Sequence, residues 1–163
     1  MKFEEMEKRL RILEDIEEIK KLQSFYINYL TTADWDNLVD CFTDDAVIDI
    51  KKETRGKKEL TKLFKEVISK NHVGLEGNFL VQPIISVEGD KAKGSWLLYI
   101  QFAQPRKLAG KIDEISYSDD KAPDWMQGFY EMEYTRVGGK WKISFLHWKC
   151  RLWSPRDASA SIK

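Results

Sequence analysis

Two histidines and two tyrosines are the residues of this sequence best suited to moving a proton. His72 and His147 are the only histidines of the chain, and imidazole titrates near neutrality, so either can serve as a general base or acid without a cofactor. Tyr26 and Tyr29 stand three residues apart, a spacing that puts both phenols on one helix face, from which a hydroxyl can donate to a substrate carbonyl. A histidine base needs a neighbour that fixes its tautomer. Asp49 is the carboxylate candidate if it faces inward from its strand, and His147 is the other candidate because it falls in register with Trp141, Ile143 and Phe145. Each residue also has a plainer reading: a core histidine bonded to backbone carbonyl, a packed tyrosine, a solvated aspartate. Cys41 and Cys150 are far apart and lack any CxxC or Cys/His spacing, so both read as small buried hydrophobes. With no metal-ligand cluster and no glycine-rich phosphate loop, the sequence calls for no cofactor.

The elements that must position these groups follow from periodicity. In 2–30, apolar residues at Phe3, Met6, Leu10, Leu13, Ile16, Ile19, Leu22, Tyr26 and Tyr29 predict one long amphipathic helix with a single stripe. Its first two turns project furthest, and the heptad-like rhythm of Phe3, Met6, Leu10 and Leu13 suits packing on a neighbouring subunit as well as it suits fraying. Asp34 is placed to cap a short helix ending near Cys41. A strand is expected from Ala46, a turn or short return strand over 53–56, and a helix over 57–70.

From Asn78 the period changes to two, giving a long hairpin through Glu88-Gly89-Asp90, with Pro83 marking an edge or bulged position. A second hairpin spans 125–153 through Gly138-Gly139. Trp96, Leu98, Ile100 and Phe102 share one strand face, and with Tyr130, Met132, Tyr134, Trp141, Ile143 and Phe145 they line either a mostly apolar cavity or a packed core. The aperiodic segment 105–123 reads as a surface insertion, with a mobile lid as the alternative. Together these elements give the α+β class: a cone-like, curved, mixed but mostly antiparallel sheet wrapped around a long N-terminal helix, with two further helices.

At 163 residues the chain suits one domain. We divide it into a helical extension (1–12), the domain proper (13–153) and a tail (154–163). Twenty-seven basic and 27 acidic residues cancel, which removes the positive field that would gather nucleic acid or anionic lipid. No stretch reads as a secretory signal or a membrane span, so a cytoplasmic location is expected. The expected partners are a small hydrophobic molecule and further copies of the chain, as a dimer or a trimer.

The order of several motifs resembles the SnoaL-like branch of the nuclear transport factor 2-like superfamily. They are LEDIEEIKKL leading into FYINYL, ADWDNLVDCFTDDAVID, GKKEL, HVG, GDKAKGSW and WMQGFYEMEYTRVGGKWKISFLHWK, covering about residues 13–153. The resemblance implies a cone of curved sheet with a pocket in its mouth. Members include scytalone dehydratase, ketosteroid isomerase and a bile-acid dehydratase; others bind without chemistry or serve as structural subunits. By resemblance to the bile-acid dehydratase, Tyr26 takes the place of its helix tyrosine and His72 that of its histidine. The orienting aspartate is replaced by Ile100, an acid after the first helix by Thr31, and a further tyrosine by Ile50. The resemblance thus implies a cofactor-free lyase or isomerase acting on a polycyclic or steroid-like hydroxy-carbonyl compound, with His72 as base and Tyr26 as electrophilic helper. The alternative is a binding or assembly domain. The site set is His72, Tyr26 and His147, lined by Tyr29, Asp49, Trp96, Leu98, Ile100, Tyr130, Met132 and Phe145.

Overall fold

Helix α1 (Phe3–Thr32) buries Asp15, Ile19, Gln23, Tyr26, Ile27 and Leu30 along one side. The computed structural model describes residues 2–50, 52–70, 72, 76–101 and 125–153. The single stripe expected from the sequence is in fact two. Phe3 is 77% exposed, Leu10 57% and Leu13 60%, because the three-residue steps from Leu10 to Leu22 each fall about 60° short of a full turn on a 3.6-residue helix. The apolar line therefore winds around the helix, and its beginning faces away from the core that its continuation enters. The helix stops at Ala33, which adopts φ 57° and donates to Leu30 O, while Asp34 N–H reaches Tyr29 O. Asp34 then caps α2 (Trp35–Asp40), its carboxylate accepting from Asn37 N–H, as the sequence predicts.

Strand β1 (Phe42–Ile50) starts at Phe42 rather than Ala46, and β2 (Lys52–Arg55) is the short return strand. Helix α3 (Lys57–Lys62) continues through a π turn (Leu63–Val67) and a 3-10 turn (Ile68–Lys70), filling the span expected as one helix. Strands β3 (Gly77–Glu88), β4 (Lys91–Gln101), β5 (Trp125–Val137) and β6 (Lys140–Trp153) complete a six-stranded sheet of order β2-β1-β6-β5-β4-β3. Only the β1–β6 pair is parallel. Pro83 lies on edge strand β3 inside a register shift between Val81 and Ile84, next to Gln82 at φ 53°. A proline is tolerated there because no ladder bond is asked of it.

The helices cover one face of this sheet, and the core between them holds Ile19, Tyr26, Leu38, Phe42, Phe64, Leu98, Ile143 and Leu146 among others. Two polar devices tie α1 to the sheet. Asp15, 7% exposed, accepts from Arg136 and from Trp141 Nε1 at 3.2 Å, with the guanidinium stacked 4.7 Å above the indole. Deeper in, Trp96 Nε1 donates to Tyr134 Oη at 2.8 Å, and that hydroxyl donates to Gln23 Oε1 at 3.0 Å. Cys41 is buried as expected, burial pushing its thiol up to about 11. Cys150 is exposed instead, because it falls at the far end of β6, past the well-covered Leu146. Segments 105–123 and 154–163 and residue Phe102 lie outside the described residues. Among those residues, no helix is long and apolar enough to cross a membrane.

Candidate functional site

His72 is delivered by the end of the α3 extension: its backbone N–H donates to Ile68 O at 2.9 Å. A π turn closes on i→i+5 bonds and so carries one residue more than an α turn, a feature that often re-aims side chains at functional sites. Burial holds the imidazole below its ordinary pKa of 6.5, and the negative charge of Glu76 pulls in the opposite direction. Glu76 is 3% exposed. It precedes β3 in phase with Asn78 and Leu80, whose backbone partners are Ile100 and Leu98 on the inner face. A buried carboxylate whose charge acts on a half-buried histidine is one way a protein poises a base near neutrality. The sequence reading missed Glu76. The signal for it was the two-residue phase that runs back from Leu80 through Asn78, and acidic residues are seldom carried inside on such a phase.

Tyr26 is 1% exposed and its hydroxyl lies 3.5 Å from that of Tyr130. Its ring meets Tyr130 and Phe42 edge-on, and Tyr130 meets Trp148 in the same way. Burial raises the pKa of both phenols, Tyr130 to about 12 and Tyr26 well above its ordinary value. They therefore remain hydrogen-bond donors at neutral pH and cannot act as bases. Thr31, in the last turn of α1, accepts from the side-chain amide of Asn78 at 3.2 Å. The carbonyl oxygen of that amide is buried and has no hydrogen-bond partner among the described residues.

Trp96, Leu98, Ile100, Tyr130 and Met132 share the inner face as expected, all nearly inaccessible. Tyr29 is half-buried at the rim, stacked on Phe25. Three expected site residues fall elsewhere. Glu133 pairs with Phe145 while the next residue of β5, Tyr134, pairs with Ile143, so Ser144 is an extra residue in β6. This bulge reverses the alternation: Trp141 and Ile143 face the core, then Leu146 does, and Phe145 and His147 turn to the outer face. Asp49 is paired with His147 across β1 and β6 and shares that outer face. There His147 Nδ1 lies 3.5 Å from Glu131 Oε2 and Nε2 lies 4.0 Å from Asp49 Oδ2. The structure thus sets His147 between Glu131 and Asp49, across the sheet from Tyr26, and away from His72.

Among the described residues, the larger clefts are shallow and lie outside the cone. One of about 720 Å³ runs along Thr43, Asp44, Arg55, Lys57 and Lys142, and another of about 760 Å³ lies between α1 and the β3–β4 turn. The same residues contain no group of three or more His, Cys, Asp or Glu side chains placed to hold a metal ion.

A family model described as a SnoaL-like domain matches residues 11–147. No curated protein matches the chain. Among solved structures, a protein with a cystatin-like fold from Novosphingobium aromaticivorans superposes with a TM-score of 0.70 at 17% identity, over 98% of this chain and 94% of that one. A putative scytalone dehydratase from the same organism gives 0.70 at 14% identity over 90% of each chain. A hexachlorocyclohexane dehydrochlorinase from Novosphingobium barchaimii gives 0.70 at 17% identity, over 90% of this chain and 92% of that one. At such identities the likeness establishes the fold, a cystatin-like α+β cone.

Proposed function

Since the chain belongs to the SnoaL-like domain family, we propose that it is a cytoplasmic, cofactor-free lyase or isomerase whose base is His72, held by Glu76. The observation that carries this reading is the buried carboxylate of Glu76 acting on His72. In this reading Glu76 takes the part of the orienting acid that Ile100 and Thr31 do not provide. The two solved relatives named for elimination reactions, one a putative dehydratase and one a dehydrochlorinase, support the same class.

In the lyase form, the substrate is a small polycyclic or steroid-like molecule with a hydroxyl β to a carbonyl. His72 Nε2 or Nδ1 takes a proton from the carbon between them, and the electrons of that C–H bond form the new C=C bond. The C–O bond to the hydroxyl breaks, and the oxygen leaves as water after taking from the His72 imidazolium the proton that His72 removed, which returns the base to its neutral form. A tyrosine hydroxyl of the Tyr26–Tyr130 pair donates to the carbonyl as charge gathers there. In the isomerase form the proton returns to a different carbon and no water leaves.

To test this, turnover of a panel of such substrates should fall about 100-fold or more in His72→Ala, the usual worth of a general base. Glu76→Gln should lower kcat about tenfold or more with little change in KM, since it orients the base without touching substrate. Turnover indifferent to His72→Ala would sink the mechanism. A second reading, binding or assembly without chemistry, is favoured by the packing of Tyr26 against Phe42 and Tyr130. Retention of a ligand by a protein that turns over no member of the panel would select it.

A further inference from the structure

We infer that the first two heptads of α1 bind the same segment of a second copy of this chain, forming a short parallel coiled coil. Phe3, Met6, Leu10 and Leu13 repeat in steps of three, four and three, the spacing of an a/d seam. They are 77%, 46%, 57% and 60% exposed. Counting about 100° per residue, they lie on the side of α1 opposite to Ile19, Gln23 and Tyr26. The domain's own sheet and core therefore sit behind the seam, and a second helix can approach it without meeting them. From Asp15 onward α1 is anchored in the core, so the seam is presented on a helix that is already nucleated and two heptads need not fold alone.

The charges beside the seam name the occupant. Lys2 and Arg9 flank it on one side, and Glu7 and Glu14 flank it on the other. In a parallel pair, each residue of the first set meets the residue five positions further along the second copy. Lys2 then faces Glu7 and Arg9 faces Glu14, and the two-fold axis repeats both contacts. An antiparallel pair would instead set Lys2 against Arg9 and Glu7 against Glu14, like against like. The seam is bounded: its next position is Glu17, which is bonded to Lys20 at 2.6 Å and would face its own copy. The match to the family model begins at residue 11, so Phe3 and Met6 and their flanking charges precede the matched domain.

The experiment is sedimentation equilibrium of the full chain, with circular dichroism to check folding of each variant. Wild type should have the mass of two chains. Leu10→Glu, a change at a position the core does not use, should weaken association by at least about 100-fold, because each dimer loses two buried leucines. Arg9→Glu and Glu14→Arg should each weaken association alone, and mixing the two should restore a dimer, since both cross-pairs are then opposite in sign. In a Cys150→Ser background, Met6→Cys should form an interchain disulfide on oxidation, as only the parallel pairing brings the two copies of position 6 together. The inference is overturned by a single-chain mass at all concentrations, by an assembly larger than two, by a dimer that survives Leu10→Glu, by charge variants that do not recover on mixing, or by failure of Met6→Cys to cross-link.

Discussion

His72 is held between two opposed influences, burial that favours the neutral ring and the charge of Glu76 that favours the imidazolium. Burial is the larger, so the folded protein binds this proton less readily than the unfolded chain does. Stability then rises with pH wherever the unfolded state carries more protons. The consequence falls on the acid side: as pH drops through 6.5, the ordinary value, the unfolded chain takes up a proton that the folded one refuses, and stability is lost until the folded ring also protonates. His72→Gln should flatten this part of the profile, measured as urea midpoints between about pH 7.5 and 5; parallel profiles for both proteins would contradict it. At this scale the sequence was partly legible. Tyr26, Trp96, Leu98 and Tyr130 could be placed inward because their strands and helix keep phase. His147 and Phe145 could not, because the extra residue Ser144 reverses the strand, and a serine in mid-strand carries no mark of a bulge. Glu76 was passed over because it stands ahead of the first residue at which alternation becomes visible.

Helix ends and bulges decide how the elements are joined, and two of them are open to direct test. Ala33 closes α1 in the left-handed region, φ 57°, where a Cβ is strained and glycine is not. Ala33→Gly should therefore stabilise the fold by about 0.5–1 kcal/mol, read as a raised thermal midpoint, although glycine at most helical positions costs stability. Gly128 gives the opposite case. A Cβ there would come within 2.2 Å of Lys149 O and 2.9 Å of Cys150 Cα, both backbone atoms of β6. Gly128→Ala should cost about 1–3 kcal/mol, the usual penalty of overpacking where the neighbour cannot move aside. The order and type of the elements were readable from periodicity and turn residues, including the hairpin at Gly138-Gly139 and the edge position of Pro83. The stripe of α1 was not, because three-residue spacing looks amphipathic in any short window and betrays its rotation only over several turns.

For the molecule as a whole, the joint between α1 and the sheet rests on few polar contacts for so large a surface. Asp15 receives both Arg136 and Trp141, and Arg136 also reaches Asp90 at 3.3 Å. Asp15→Asn leaves a largely covered guanidinium without its main counter-charge, and the loss should approach about 3 kcal/mol, as for other broken buried pairs. Asp15→Asn with Arg136→Met, measured in the same denaturation assay, should recover part of it. None of this joint was visible in the sequence, since its members are 121 and 126 residues apart. The order of the strands carries one more consequence. The sheet runs β2-β1-β6-β5-β4-β3, so the strand made last is the one that lies between the first two strands and the other three. Until residues 140–153 have been synthesised, β1 and β5 have no neighbour in common and the inner face of the cone stays open. The pairings that join β2-β1 to β5-β4-β3 are thus the last that synthesis makes available.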